Sequence, residues 1–118
     1  MKTQISGRLG EDAACKYLKK KRYQILERNY HTRYGEIDIV AKKGDCVAFV
    51  EVKTRSATDY GMPSEAVTLS KQQKIIKTAQ TYIQEQDLDA VFSFDIIEVL
   101  LEKGKVASLN HIENAFTT

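Results

Sequence analysis

Apolar positions along the chain follow a helical spacing in two segments. From about Gly7 to Lys20 they recur every three to four residues, and the opposite face of that segment is basic, which predicts an amphipathic helix. A second stripe follows Ser70, which forms a capping-box pattern with Gln73 and so predicts a helix start there. This second helix is expected to end at about Gln86.

Segments rich in β-branched and aromatic residues predict five strands. Their expected bounds are Tyr23 to Asn29, Gly35 to Ala41, Cys46 to Thr54, Val91 to Leu101 and Lys105 to Ile112. The segment Arg55 to Pro63 collects Ser, Thr, Asp, Gly and the only Pro, so a surface loop is expected there. A short turn of helix is expected at Asn114 to Phe116. The predicted order is α-β-β-β-α-β-β, an α/β fold in which helices pack against a mixed sheet.

The second and third predicted strands form a hairpin that carries acidic residues. Side chains on a strand alternate between its two faces, so Glu51 and Lys53 are neighbours on one face. If the turn is only Gly44-Asp45, Asp38 lies directly opposite Glu51. Cross-strand partners have Cβ atoms about 4.5–5.5 Å apart, so this register brings two carboxylates together. Each residue added to the turn would shift the register by one.

Two carboxylates at this separation repel each other unless a cation or a proton compensates. Mg²⁺ is a suitable cation, because it commonly takes one or two carboxylates together with waters and substrate phosphate oxygens. Glu11 is a candidate third ligand, since it lies at the edge of the apolar stripe of the first helix. Lys53, about 6.6 Å from Glu51 along the strand, could orient a water or offset charge on a phosphate. The combination suits metal-assisted hydrolysis of a phosphodiester.

Each of these residues also has a purely structural interpretation. Glu51 and Lys53 could belong to a solvated sheet face, and Asp38 to a turn or an edge strand. Glu11 could be an acid that the helix dipole favours near a helix N-terminus. The lysines of the second helix could simply be solvated. The interpretation as a site therefore depends on the conjunction of these residues.

Composition narrows the class of protein. The chain has 118 residues, of which 42% are hydrophobic, as expected for one domain covering residues 1–118. No apolar run approaches the roughly 20 residues of a membrane span, and Met1 to Gly10 lacks the apolar stretch of a secretory signal. A cytoplasmic protein with no membrane partner is expected. Cys15 and Cys46 form no CxxC pair and are expected to be reduced, and the two His residues have no zinc-ligand spacing.

The formal net charge of +2 conceals a division along the chain. Residues 1–80 hold 16 basic and 9 acidic side chains, a balance of +7, whereas residues 81–118 hold 2 basic and 7 acidic side chains, a balance of −5. Three of the nine acids are Glu11, Asp38 and Glu51, whose charge a bound cation would largely neutralise. A basic surface is one expected footprint of nucleic-acid binding, so the small net charge does not exclude DNA.

Several motifs together resemble the YraN family of small bacterial proteins over nearly the whole chain. They are Gly7 to Ala14, Leu26 to Tyr30, Gly35 to Asp38, Phe49 to Arg55, Lys71 to Ile75, Phe94-Asp95 and His111 to Phe116. That family is similar to the PD-(D/E)xK, or restriction-endonuclease-like, superfamily, which includes restriction enzymes and archaeal Holliday-junction resolvases. The resemblance implies a three-layer α/β/α core around a central mixed sheet.

The resemblance also implies roles for individual residues. Asp38 and Glu51 match the acidic metal-binding motif, Lys53 the catalytic lysine, and Glu11 the first-helix acid of many members. Ile37 stands where the superfamily name has Pro. In that motif the carboxylate coordinates the metal, so the resemblance implies that this substitution leaves the motif intact.

From the residues and the resemblance together, we expect a Mg²⁺- or Mn²⁺-dependent nuclease acting on DNA, with branched and single-stranded substrates as candidates. The Val52 carbonyl is expected to add a metal ligand, and Arg55, Lys71 and Lys74 to contact phosphates. Two alternatives stay open. One is a non-catalytic nucleic-acid-binding module of the same fold, and the other is a subunit whose apolar sheet edge joins a protein partner or a second copy in a homodimer.

Overall fold

A computed structural model of the chain describes residues 4–56 and 67–118, with the side chains of residues 4–6 excepted. Within these residues it contains two helices, α1 (Gln4–Lys20) and α2 (Leu69–Gln86). It also contains the strands β1 (Gln24–Thr32), β2 (Gly35–Lys43), β3 (Cys46–Ser56), β4 (Val91–Glu102) and β5 (Lys105–Phe116). The predicted order of elements is confirmed.

The five strands form one mixed sheet in the order β1-β2-β3-β4-β5. Strands β3 and β4 run parallel and are joined through α2, while the other neighbouring pairs are antiparallel. A parallel pair needs a crossover connection, which is why a helix separates β3 from β4 in the chain. The expected α/β class with a mixed sheet is confirmed.

The two helices lie against opposite faces of the sheet. Ala14 and Leu18 of α1 belong to a buried cluster with Ile39 and Val50. A second cluster joins α2 to strand residues that alternate with the first set: Val40, Val47 and Phe49 pack with Ile75, Ala79 and Tyr82. Neighbouring residues of a strand point to opposite faces, so residues of β2 and β3 divide between the two helices.

Several predicted boundaries differ in the structure; strand β1, for example, ends at Thr32 and not at Asn29. Strand β3 continues to Ser56, so Arg55 is a strand residue, and the remainder of the predicted loop lies outside the described residues. The N-cap of α2 is Thr68, whose Oγ1 accepts a hydrogen bond from the Lys71 N–H at 3.1 Å, and not Ser70. A hydroxyl before the first helical residue can satisfy such a free N–H.

The predicted turn of helix at Asn114 to Phe116 is wrong, because β5 continues to Phe116. Phe116 pairs with Phe94 of β4, and the two rings stack with centroids 5.2 Å apart. Asn114 has a positive φ of 49° and donates its N–H to Asp95 Oδ1 at 3.2 Å. An irregular strand is therefore held in the sheet by tertiary contacts that no local pattern encodes.

The structure also bears on the state of the two cysteines and on membrane-spanning helices. Cys15 and Cys46 are both free thiols, as expected. Burial raises the pKa of the Cys15 thiol, which keeps it protonated. No helix in the described part of the chain combines the length and apolar character needed to cross a membrane.

Candidate functional site

The β2–β3 hairpin sets the geometry of the acidic residues. Its ladder runs from Lys43 opposite Cys46 to Ile39 opposite Val50, the register that a Gly44-Asp45 turn predicts. At the next position the ladder gives way to a side-chain contact: Asp38 Oδ2 accepts a hydrogen bond from the Val52 N–H at 2.8 Å. The Asp38 carboxylate is thereby held beside the segment of β3 that carries Glu51.

Both carboxylates are buried, with 7% of Asp38 and 8% of Glu51 exposed. Burial raises the pKa of Glu51, and the nearby charge of Asp38 raises it further. The ammonium groups of Lys71 and Lys53 act in the opposite direction and favour the ionised form of Glu51. Desolvation disfavours a charged group, and a neighbouring like charge adds to that penalty. A positive charge next to Asp38 and Glu51 would therefore stabilise their ionised forms.

Lys71 supplies part of that positive charge in the structure. Its Nζ donates to Glu51 Oε1 at 3.0 Å, from the first turns of α2. Burial opposes the charge on Lys71, but the Glu51 and Asp38 carboxylates outweigh burial and raise the pKa of Lys71. The contact depends on the Thr68 cap, which accepts from the Lys71 N–H and so defines where the helix begins.

A cavity of about 470 Å³ opens over the two carboxylates. Residues from β2, β3 and the start of α2 line it: Gly35, Glu36, Asp38, Glu51, Thr68, Ser70, Lys71, Lys74 and Ile75. Its volume falls within the range of ordinary small-molecule sites. The cavity therefore combines acidic and basic side chains in a space that could accept a phosphodiester group.

The predicted residues do not all line this cavity. Lys53 lies two residues beyond Glu51 on β3 and acts on the carboxylate through its charge. Arg55 lies further along β3, in register with Leu100, and is not among the lining residues. Of the predicted phosphate contacts, Lys71 and Lys74 line the cavity.

Glu11 lies on α1, on the helix that packs against the other face of the sheet. Its Oε1 is 3.8 Å from the Arg28 guanidinium, which also donates to Asp12 Oδ1 at 2.9 Å. Among residues 4–56 and 67–118, no three carboxylate, imidazole or thiol groups are arranged to hold a metal ion. Glu11 does not join Asp38 and Glu51 in such a group, and its role as a metal ligand stays a prediction.

The donor chemistry of the remaining pair fits a hard divalent cation. Asp38 and Glu51 supply two buried carboxylates, and Mg²⁺ needs only one or two of these when waters and phosphate oxygens complete its coordination. The raised pKa of Glu51 indicates that a cation in the cavity would relieve an existing electrostatic cost. The arrangement is suited to binding a phosphate together with a divalent cation.

A network of buried polar side chains on the other face of the sheet was not predicted from the sequence. His111 Nε2 lies 2.8 Å from Asp95 Oδ2, and His111 Nδ1 lies 3.0 Å from the Tyr17 hydroxyl. Ser93 Oγ donates to Asp95 Oδ1. This network ties α1 to β4 and β5. Tyr17 and His111 are 94 positions apart in the chain, so the spacing of residues along the sequence does not indicate that they meet.

Comparison with known proteins places the chain among relatives of similar length. Residues 10–99 match the model of a family described as "Uncharacterised protein family UPF0102". A UPF0102 protein of Syntrophomonas wolfei is 50% identical over 111 residues, which cover 93% of this chain and 96% of that protein. A UPF0102 protein of Chloroherpeton thalassium is 46% identical over an alignment covering 100% of this chain and 98% of the relative. One from Alkaliphilus metalliredigens is 49% identical over 93% of this chain and 96% of its own length.

Proposed function

The chain belongs to the uncharacterised protein family UPF0102, and we propose that it is a metal-dependent nuclease that hydrolyses phosphodiester bonds in DNA. The observation that carries this proposal is the burial of the Asp38 and Glu51 carboxylates in one cavity that Lys71 and Lys74 also line. Buried like charges are costly, and a fold retains them most readily where a bound cation compensates them.

We also propose that the domain is restriction-endonuclease-like. Its supporting features are the mixed sheet with a helix on each face, the crossover through α2, and the placement of the acidic motif. Asp38 lies on β2, and Glu51 and Lys53 lie on the adjoining strand β3. This is the arrangement that the resemblance to the PD-(D/E)xK superfamily implies.

The mechanism assigns a distinct task to each residue. Asp38, Glu51 and the Val52 carbonyl would hold Mg²⁺ or Mn²⁺, which when bound polarises a phosphoryl oxygen and lowers the pKa of a water. The Val52 N–H fixes the Asp38 carboxylate through its 2.8 Å hydrogen bond. Lys53 offsets the negative charge that develops on the phosphate during attack.

The remaining cations bind and orient the DNA backbone. Lys71 and Lys74 at the cavity contact phosphate oxygens, and Arg55 extends the basic track along β3. Phosphate contacts position a strand without reading its sequence. We therefore propose selection by DNA structure or by strand ends. Glu11 keeps its predicted role as a first-helix acid, which Glu11→Gln tests.

The test is cleavage of a panel of duplex, single-stranded and branched DNA with Mg²⁺, Mn²⁺ or EDTA. Asp38→Asn and Lys53→Ala are expected to lower the cleavage rate by about a hundredfold or more, the usual cost of losing one group that stabilises a transition state. Lys42→Ala removes an exposed lysine of β2 that does not line the cavity and is the matched control. The proposal is wrong if no metal-dependent cleavage occurs, or if both site variants cleave like the control.

A nucleic-acid-binding module without catalysis is the second candidate. The Lys71–Glu51 ion pair favours it, because an ammonium already balances one carboxylate without a metal ion. This candidate predicts DNA binding in EDTA that Glu51→Gln leaves intact and that falls steeply with salt. Binding without cleavage by any DNA of the panel would support it over the nuclease.

A further inference from the structure

The tip of the β1–β2 hairpin presents an aromatic ring to solvent beside the cavity. Thr32 pairs with Gly35, so Arg33 and Tyr34 form a two-residue turn. Tyr34 is 38% exposed and belongs to neither buried cluster of the described residues. A large ring in this position adds little to the core.

Two cations lie close to this ring. The guanidinium carbon of Arg33 is 5.0 Å from the ring centroid of Tyr34, and Lys77 Nζ of α2 is 5.5 Å from it. Arg33 Nη2 also donates to the Tyr34 hydroxyl at 2.8 Å. Separations below about 6 Å are those of cation–π contacts. The exposed aromatic therefore lies within a basic patch contributed by two elements.

The turn is anchored to α2. Tyr34 N–H donates to Thr32 Oγ1 at 3.1 Å, and Thr32 Oγ1 lies 3.2 Å from Thr78 Oγ1. Thr78 is fully buried and donates in turn to the Lys74 carbonyl at 2.8 Å. The ring is thus presented by a held turn and needs little ordering when a ligand binds.

The ring lies next to the proposed catalytic cavity. Gly35, the residue after Tyr34, lines that cavity together with Asp38 and Lys74. Asp38 on β2 is four residues after Tyr34, which corresponds to about 13 Å of extended chain. One nucleic-acid strand could therefore place a phosphate at the carboxylates and a nearby base at Tyr34.

A nucleobase is the ligand whose chemistry matches this patch. Every base offers a π face that stacks on an aromatic ring, and arginine and lysine neutralise the flanking phosphates. Bases inside a duplex are already stacked on their neighbours, so the ring is accessible only to unpaired bases. This selects single strands, flaps and frayed ends over continuous duplex.

We propose that Tyr34, with Arg33 and Lys77, forms a stacking platform for an unpaired base of a DNA strand entering the cavity. The proposal deepens the proposed function, because it names the substrate class as DNA with unpaired nucleotides. The platform itself requires no metal ion. It can therefore be measured separately from cleavage.

The chain contains no tryptophan, so Tyr34→Trp creates a single fluorescent reporter on the platform. In EDTA, a short oligothymidylate is expected to quench its emission, whereas the same oligonucleotide leaves Val91→Trp unchanged. Val91 is 66% exposed at the start of β4 and does not line the cavity. Stacking on the indole is the physical cause of the quenching.

Binding measured by fluorescence anisotropy in EDTA completes the test. Tyr34→Ala is expected to weaken single-strand affinity by about five- to a hundredfold, the range for loss of one stacked base. Tyr34→Phe should bind as the parent does, and duplex affinity should be the same in all three proteins. Absence of quenching, or an equal loss of single-strand and duplex affinity in Tyr34→Ala, would overturn the platform.

The two proposals fail in different ways. A chain that stacks bases on residue 34 but cleaves no DNA contradicts the nuclease and leaves the platform standing. A chain that cleaves DNA with Mg²⁺ but shows no stacking contradicts the platform alone. The fluorescence measurement in EDTA and the cleavage measurement with metal therefore give separate answers.

Discussion

Glu51 carries an electrostatic cost that the rest of the fold tolerates. Burial and the charge of Asp38 raise its pKa, and the opposing charges of Lys71 and Lys53 do not fully compensate. Natural proteins often retain such costs at functional sites. A substitution of Glu51 should therefore relieve this cost in the folded protein and at the same time remove a proposed metal ligand.

The stability of the metal-free protein should respond to pH through Glu51. A carboxyl whose pKa is raised in the folded state contributes stability that is full below its unfolded pKa and is lost as pH rises through its folded pKa. In EDTA, the parent protein should thus lose stability relative to Glu51→Gln between pH 4 and pH 8. Urea unfolding at the two pH values measures the difference.

Glu102→Gln, at an exposed position at the end of β4, is the control and should show no such pH-dependent gap. A gap between parent and Glu51→Gln that is the same at both pH values would contradict the assignment of a raised pKa to Glu51.

Lys71 occupies the position where a divalent cation would act on Glu51. Its Nζ is 3.0 Å from Glu51 Oε1, so a cation bound to Glu51 would have the Lys71 ammonium as a close neighbour. Two like charges about 4 Å apart repel by several kcal/mol even at an effective dielectric constant of about 20. Lys71→Met should therefore tighten Mn²⁺ binding by about five- to twentyfold, measured by calorimetry without DNA.

Lys74→Met removes a lysine that lines the same cavity and is the matched control. It should change the Mn²⁺ affinity by less than Lys71→Met does. Weaker Mn²⁺ binding in Lys71→Met than in the parent would show that the lysine organises the carboxylates and does not compete with the metal ion.

At the scale of elements, the contact of α1 with β3 leaves no room for a side chain at residue 10. A Cβ added to Gly10 would overlap Thr54 Oγ1. The Thr54 hydroxyl is itself buried and finds no hydrogen-bond partner in the described part of the chain. Helix and strand therefore approach as closely as a glycine allows, one residue from Glu11 and one from Lys53.

Gly10→Ala should destabilise the protein by about 1–3 kcal/mol, the usual range for overpacking a close contact. The gain in helix propensity from alanine, about 1 kcal/mol, opposes only part of this loss. In a Thr54→Ala background the same substitution should cost less, since the overlapping hydroxyl is gone. Urea unfolding of the four proteins forms a double-mutant cycle. Equal losses in both backgrounds would show that Thr54 is not the cause.

The edge strands bear on the prediction of a homodimer. The ladder of β1 with β2 shifts between Ile25 and Glu27, and the ladder of β4 with β5 shifts at two places. Bulges and irregular pairing make an edge a poor template for another strand. A second copy, if one binds, is therefore expected at a surface other than a continuous sheet.

At the scale of the whole molecule, the fold places some cations of the basic segment, residues 1–80, beside the cavity. Strands β1 and β2 form one edge of the sheet, and the acidic C-terminal strands β4 and β5 form the other. Lys71 and Lys74 of α2 line the cavity, which β2, β3 and the start of α2 enclose, and Arg33 lies at the nearby tip of the β1–β2 hairpin. A net charge of +2 is thus compatible with a local basic surface.

DNA binding in EDTA should therefore depend on salt. Duplex DNA does not engage the Tyr34 platform. If Arg55, Lys71 and Lys74 each neutralise one phosphate of a duplex, the logarithm of the binding constant should fall with the logarithm of salt concentration with a slope of about −2 to −3. Lys74→Ala should reduce the magnitude of that slope by about one, whereas Lys42→Ala should leave it unchanged. Affinity that does not vary with salt would contradict the proposed backbone contacts.

The sequence by itself determined the order of the helices and strands, the α/β class and the register of one hairpin. Apolar periodicity identifies helices and strands because burial of one face drives their formation. A two-residue turn at Gly44-Asp45 couples strands β2 and β3 rigidly, so the approach of Asp38 to Glu51 follows from local geometry. The proximity of the two carboxylates was therefore predictable from the sequence, whereas their burial was established by the structure.

Only the tertiary structure decided which groups from distant segments meet. Lys71 reaches Glu51 through the docking of α2, and Tyr34 joins Lys77 across two elements. His111 meets Asp95 and Tyr17 in a network that links β5, β4 and α1. Glu11 of α1 faces the sheet, as its position on the helix stripe predicts, but it lies beside Arg28 of β1 and does not line the cavity. Helix docking depends on packing of the whole buried surface, which no spacing along the chain records, whereas a short turn fixes its strands by covalent geometry alone.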